Sequence, residues 1–288
     1  MFADHALCDA FSIPESVLLA FFRAVQDGYL PMPYHNALHA ADVLHSMNYI
    51  LVAGGLARVL QPLEVMAALL AAAVHDLAHP GVTGTFLVVT RSPLALRYND
   101  SHVLENYHLW RAFSILAHPE CNLAARMSPA DAAALRRQII ALVLATDMTD
   151  HGAFMAEVER RLRAPGGLSL EDSAADRDLA LRLALKCADI SNATKPVRSA
   201  VRWGCAILTE TFRQGELERA HGLPVSPVCD RAKVSVASAQ LSFMEHVARP
   251  LYQALGALTP ALSEPAVARS ARTAAFYAAQ LASRGAPA

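Results

Sequence analysis

Cysteine, surplus charge and long apolar runs are all scarce in this 288-residue chain, and each shortage removes a class of protein. The five cysteines (Cys8, Cys121, Cys187, Cys205, Cys229) are odd in number, far apart and never in a Cys-x-x-Cys pair. A disulfide framework or thiolate metal site is therefore not the organising feature, and isolated reduced thiols are expected. Lys and Arg (25) nearly balance Asp and Glu (26) for a net charge of -1. A general nucleic-acid binder would carry a basic surplus or basic runs. The longest wholly apolar run, Val65 to Val74, has ten residues, about half of the ~20 that a membrane helix needs. No basic segment followed by an apolar one opens the chain, so no signal peptide is expected and a soluble cytoplasmic protein is. β-Branched residues are sparse in most segments and no Asn-Gly turn occurs, which leaves little from which to build hairpins.

What is present is Ala and Leu, in stretches separated by short Pro/Gly punctuation, with 54% hydrophobic residues to fill a core. That pattern predicts an all-α fold. Ser128-Pro129-Ala130-Asp131 reads as a helix start, with a capping serine, proline in the first turn and an early acid. A second helix is expected from about Gln61 to Asp76. Between Asp178 and Ile190, Leu179, Leu181, Leu183 and Leu185 alternate as in a strand. Yet Asp178, Arg182 and Lys186 recur every four residues with Asp189 three further on, which places the polar groups on one stripe of a buried helix. Breaks fall at Gly54-Gly55, Pro80-Gly81, Ala164 to Gly167 and Pro224 to Pro227, none long enough for a domain linker. One compact multi-helix domain over residues 1–288 is expected, frayed from about Ser283.

The twelve histidines carry the chemistry. His35 and His39 would be i, i+4 neighbours on a helix, ~6 Å apart on one face, with Asp42 continuing it. His75-Asp76 at a helix end can aim an imidazole nitrogen and a carboxylate at one ion. A histidine there also suits the helix dipole, but a buried unpaired Asp would cost several kcal/mol. Asp189 lies on the polar stripe, where pairing with Lys186 is the plainer alternative. Two histidines and two aspartates from three helices make an N2O2 set that leaves coordination positions open for water, the pattern of a catalytic rather than a closed structural site. Zinc fits these ligands, and an oxygen-rich second site sharing Asp76 would suit magnesium or manganese. The residues alone thus indicate a metallohydrolase without naming its substrate.

Seven ordered motifs then resemble the catalytic domain of the class I 3′,5′-cyclic nucleotide phosphodiesterases, from about Tyr34 to Tyr252. They are YHNALHAADV (34–43), HDLAHP with GVTGTFL (75–87), YNDSHVLEN (98–106), LATDM (144–148), KCADISNATKP (186–196), FRQGELERAHGLPVSPVCDR (212–231) and AQLSFMEHVARPLY (239–252). ADISNATKP and FRQGE…SPVCDR are most similar to the cAMP-selective members. The resemblance implies His39, His75, Asp76 and Asp189 as ligands of a Zn2+-type ion. Asp76 would bridge to a second ion, Mg2+ or Mn2+, whose waters are held by groups matching His79, Glu105 and Thr146. His35 corresponds to the general acid. Gln240 matches the residue that hydrogen-bonds the purine edge, Phe243 and Ile207 the clamp on the base faces, and Asn192 and Met148 pocket-lining positions. A hydroxide between the two ions would attack phosphorus while His35 protonates the leaving 3′ oxygen, giving a nucleoside 5′-monophosphate.

Two positions depart from the family pattern. Ala78 stands where His-Asp-x-Asp-His has its second acid, and Gly84 where asparagine is frequent. Altered loop geometry and weaker second-metal binding are expected from them. The chain also has no room for the regulatory modules of many members, so it is expected to be a near-minimal catalytic domain acting on a small cyclic nucleotide, with its oligomeric state left open. The alternatives are another HD-type phosphohydrolase, which would lack the Gln240/Phe243 segment, and a catalytically silent nucleotide-binding protein, which would tolerate loss of the metal ligands.

Overall fold

Val65–Val74, the longest apolar run in the sequence, is buried along its whole length in the helix that packs against the greatest share of the N-terminal half of the fold. The computed structural model describes residues 1–285. Helices α1 (Leu7–Ala10) and α2 (Glu15–Gly28) open the chain, and α3 (Ala37–Ala53) packs on the central α4 (Pro62–Val74). Short helices α5 (Gly84–Val89) and α6 (Pro93–Tyr98) lead into α7 (Val103–Leu116), α8 (Pro129–Leu144), α9 (His151–Arg163) and α10 (Ala174–Asp189). The chain closes with α11 (Val197–Ala220), α12 (Val236–Phe243), α13 (Arg249–Gly256) and α14 (Pro260–Gly285); a π-helical turn, Met244–Ala248, joins α12 to α13. Among the described residues there is no strand, and no helix is long and apolar enough to cross a membrane. The last helix continues through Gly285, two residues past the expected onset of fraying, and positions 286–288 of that tail lie outside the described residues.

Local chemistry sets the helix starts. Ser128 caps α8, its Oγ accepting the Asp131 N–H at 3.1 Å. The Gln61 N–H donates to Glu64 Oε2 at 2.8 Å across the first turn of α4. Glu64 is buried, and Arg177 of α10 donates to its other oxygen at 2.9 Å, so this core carboxylate is satisfied from two sides. The alternating leucines of α10 are all buried because α3, α4, α8 and α13 surround the helix. Alternation carries no strand signal when every face is inside.

One expectation about polar groups is overturned and one alternative falls away. Asn36 Oδ1 accepts the N–H groups of Leu38 and His39 at 2.9 and 3.1 Å, so α3 begins at Ala37 and His35 lies ahead of the helix, not on it. A strong N-cap residue decided the boundary. Asp42 does not extend a histidine face; it pairs with Lys195 Nζ at 2.7 Å. Lys186, in turn, is buried and turns from Asp189 to the carbonyls of Ala145 (2.7 Å) and Asp147 (3.3 Å). Carbonyls left free past the end of α8 need donors, and a buried ammonium needs acceptors. This contact fixes the loop that carries Thr146 beside α10.

A small apolar cluster, Leu87, Ala95, Val103 and Leu104, stands apart from the main core where α5, α6 and α7 meet. It backs one wall of the cleft described next.

Candidate active site

Three helices end or begin at one point. His39 lies in the first turn of α3, His75 caps the C-terminus of α4 with Asp76 next in the chain, and Asp189 is the last residue of α10. His39 Nε2 and His75 Nε2 are 3.3 Å apart. Asp76 Oδ2 lies 3.4 Å from His39 Nε2 and 3.1 Å from His75 Nε2, and Asp189 Oδ1 lies 3.2 and 3.3 Å from the same two atoms. Donors at ~2.0–2.2 Å from one ion are roughly 3–3.5 Å apart, so the set has the spacing of a coordination shell. His75 Nδ1 is 3.0 Å from the Ala72 carbonyl, the type of outer contact that fixes a ligating imidazole with Nε2 forward.

The charges make the same case. Burial on its own would push both carboxyls up and both imidazoles down. The attraction of His75 and the neighbouring histidines instead holds Asp76 well below the usual carboxylate range and Asp189 below it. Against the same burial, the two aspartates raise His39, and raise His75 well above the ordinary imidazole value. Two negative charges on the largely buried floor of a cleft draw positive charge, which a divalent cation supplies without protons. The donor chemistry therefore fits a metal ion.

His35 flanks this set. Its Nε2 is 4.0 Å from Asp76 Oδ2, its ring stacks on His79 with centroids 3.8 Å apart, and its Nδ1 is 2.5 Å from Glu210 Oε2. The other oxygen of Glu210 accepts the backbone N–H groups of Tyr34 (2.5 Å) and His35 (2.9 Å). Burial opposes ionisation of Glu210, but the hydrogen bonds from His35 and Tyr34 hold its carboxyl below the ordinary range. Sequence reasoning missed Glu210. A signal existed: Glu210, Gln214 and Glu218 recur every fourth residue and are all buried. Gln214 reaches α5, its Oε1 accepting the Thr83 N–H at 2.8 Å, and so anchors the segment bearing Gly84.

Above the cluster opens a cleft of about 550 Å³. Of the residues singled out in the sequence, His35, Asp76, His79, Glu105, Thr146, Met148, Asp189 and Ile207 line it. Gln240, Phe243 and Asn192 are not among its lining residues. Asn192 Nδ2 donates to the Tyr34 hydroxyl at 2.6 Å. Phe243 packs against the main core. Gln240 is buried against Gly204 of α11, one turn before Ile207: a Cβ at 204 would stand 3.0 Å from the Gln240 amide and 2.7 Å from the Tyr277 hydroxyl.

Ala78 is buried with φ +64°, a left-handed conformation costly for a residue with a Cβ. A Cβ at Gly84 would meet nothing within 4 Å.

An all-helical bundle that gathers two imidazoles and two carboxylates under an open cleft defines a candidate metallohydrolase. Residues 34–268 match the 3′5′-cyclic nucleotide phosphodiesterase family, and the chain belongs to that family. It is 40% identical over 258 residues to the 3′,5′-cyclic-AMP phosphodiesterase, isoform F, of Drosophila melanogaster, covering 88% of this chain and 39% of that protein. It is equally similar to the mouse (Mus musculus) 3′,5′-cyclic-AMP phosphodiesterase 4C, covering 88% and 38%. The chain thus spans about two fifths of the length of these relatives. The crystal structure of the phosphodiesterase domain of the RhoPDE fusion protein from the choanoflagellate Salpingoeca rosetta is 32% identical with a TM-score of 0.92, covering 96% of this chain and 87% of that one.

Proposed function

We propose that the chain hydrolyses a 3′,5′-cyclic nucleotide, cAMP foremost, to the nucleoside 5′-monophosphate. The observation that carries this reading is the convergence of His39, His75, Asp76 and Asp189 beneath a cleft, in a chain of this family. The preference for cAMP rests on the names of its 40%-identical relatives.

His39, His75, Asp76 and Asp189 would hold a zinc ion. Asp76 turns Oδ2 towards this set and Oδ1 towards His108, so it is oriented to bridge to a second ion, Mg2+ or Mn2+. Two bound divalent ions lower the pKa of water towards neutrality and offset phosphate charge. His35 is the general acid: Glu210 fixes its Nδ1 side, which leaves Nε2 facing the site to hand a proton to the departing 3′ oxygen. His79, Glu105 and Thr146 line the same cleft and would hold the waters of the second ion. Ile207 and Met148 offer apolar contact to the base. By family resemblance Gln240 would read the purine edge, with Phe243 and Asn192 on the base side, although none of the three lines the cleft in this structure. A glutamine amide presents either donor or acceptor to a purine, according to how its neighbours orient it.

Initial rates with cAMP, cGMP and a cyclic dinucleotide test the assignment. A higher kcat/KM for cAMP than for cGMP is expected, with no turnover of the dinucleotide. Turnover of the dinucleotide alone would move the chain to a different phosphohydrolase activity.

A further inference from the structure

Charge is sorted across the two faces of α7. Between residues 84 and 116 the only acids are Asp100 and Glu105, and both line the catalytic cleft. The arginines of α6 and α7 instead gather on the outer side, around Trp110, which is 46% exposed. The guanidinium of Arg97 lies 5.5 Å from the indole centroid and that of Arg111 lies 6.0 Å from it. Tyr107 stacks on the same indole at 5.9 Å. Three residues along α7, the Arg136 guanidinium of α8 covers the Phe113 ring at 3.8 Å.

Among the described residues Arg97, Arg111 and Arg136 have no carboxylate partner. Arg160, Arg161, Arg177 and Arg182, by contrast, each hold an acid. A guanidinium that lies on an aromatic ring uses its face there and keeps its N–H edge for a planar anion such as a carboxylate. Beside these cations Trp110, Phe113, Arg136 and Ile140 wall a recess of about 400 Å³ between α7 and α8. Leu96, exposed beside Arg97, extends the apolar area. Trp, Tyr and Arg are the residues that carry most of the energy at the centres of protein interfaces.

We propose that this outer face of α6, α7 and α8 docks an acidic peptide segment of a partner protein. Its carboxylates meet Arg97, Arg111 and Arg136, and an aliphatic or aromatic side chain enters the recess beside Trp110. Charge complementarity selects the acid, and the concave apolar wall selects the anchor. A nucleic acid fits less well, because proteins that depend on its backbone neutralise roughly six to ten phosphates, and this face offers three guanidinium groups. A lipid surface takes a projecting apolar face, not a recess. The proposal is independent of the catalytic reading, since none of these side chains lines the cleft.

The test is fluorescence polarisation of the full chain with a library of fluorescein-labelled ten-residue peptides in which Asp or Glu alternates with Leu, Phe or Trp. Acidic peptides should bind at least about tenfold more tightly than counterparts with Lys in place of the acids, and more weakly as salt is raised. Trp110→Ala and Arg97→Glu should each weaken binding about tenfold or more, with helical circular dichroism unchanged. Arg97 is exposed, so its reversal keeps the test decisive if Trp110→Ala fails to fold. Wild-type protein that binds the acidic and Lys peptides alike overturns the proposal, as does an affinity that Arg97→Glu leaves unchanged. Binding to phosphatidylserine vesicles without binding to the peptides would overturn it in favour of a membrane. Self-association abolished by Arg97→Glu, again without peptide binding, would overturn it in favour of a second copy of the chain.

Discussion

Glu210 grips His35 from two directions: one carboxylate oxygen lies 2.5 Å from the imidazole Nδ1, and the other accepts the backbone N–H of the same residue at 2.9 Å. The ring is thereby fixed relative to Asp76 without a covalent or metal link. Replacing His35 with Gln should lower kcat about 10²- to 10⁴-fold, the range for a general acid. Glu210→Gln should cost about 10- to 100-fold, as for residues that orient an imidazole. Both variants should retain zinc, measured by elemental analysis. If His35→Gln loses zinc, the acid and a ligand have been interchanged.

Glu105 makes the metal-free protein pH-sensitive in a defined window. Burial, then the nearby Asp147 charge, pushes its carboxyl up to about 7. The folded state therefore keeps a proton that the unfolded state, titrating near 4.5, releases. Stability should decline as pH rises from about 4.5 to 7, by up to about 3 kcal/mol from this group. Thermal melts of chelated protein should show that decline, and Glu105→Gln should flatten it. A wild-type slope equal to that of the variant would remove Glu105 as its source.

Gly204 and Gly84 make opposite predictions. A Cβ at 204 would intrude on Gln240 and Tyr277, while one at 84 would meet nothing. Gly204→Ala should raise the KM for cAMP several-fold through displacement of Gln240, and Gly84→Ala should leave KM unchanged. Steady-state kinetics of the two variants decide it: an unchanged KM in Gly204→Ala would detach Gln240 from substrate binding.

Ala78 holds a left-handed turn at φ +64°. Ala78→Gly should remove strain of ~1–2 kcal/mol, less the added unfolded-state freedom of glycine, and so stabilise by about 0.5–1 kcal/mol. Chemical denaturation midpoints check this. Destabilisation would show that the methyl packing outweighs the backbone strain.

The all-helical class was legible because Ala- and Leu-rich segments are bounded by capping residues, as at Ser128 and Gln61. The convergence of His39, His75, Asp76 and Asp189 was legible because His-Asp at a helix end and a lone acid on an apolar helix are hard to satisfy otherwise. The position of His35 was not. Spacing alone suggested a shared helical face, and only the Asn36 side chain, which caps the start of the helix just after His35, shows otherwise. The partners of Lys186 were not legible for a related reason: its acceptors come from residues 145 and 147, about forty positions away, and no local pattern announces them. Glu210 reaches His35 through a long-range contact of the same kind.

The most direct test of the metal-dependent phosphodiesterase reading is cAMP hydrolysis by purified protein, before and after chelation and after readdition of Zn2+ with Mn2+ or Mg2+. Conversion of cAMP to 5′-AMP, abolished by the chelator and restored by the metals, is the predicted result. Turnover indifferent to chelation, or no turnover of either cyclic mononucleotide by the metal-loaded protein, would contradict it.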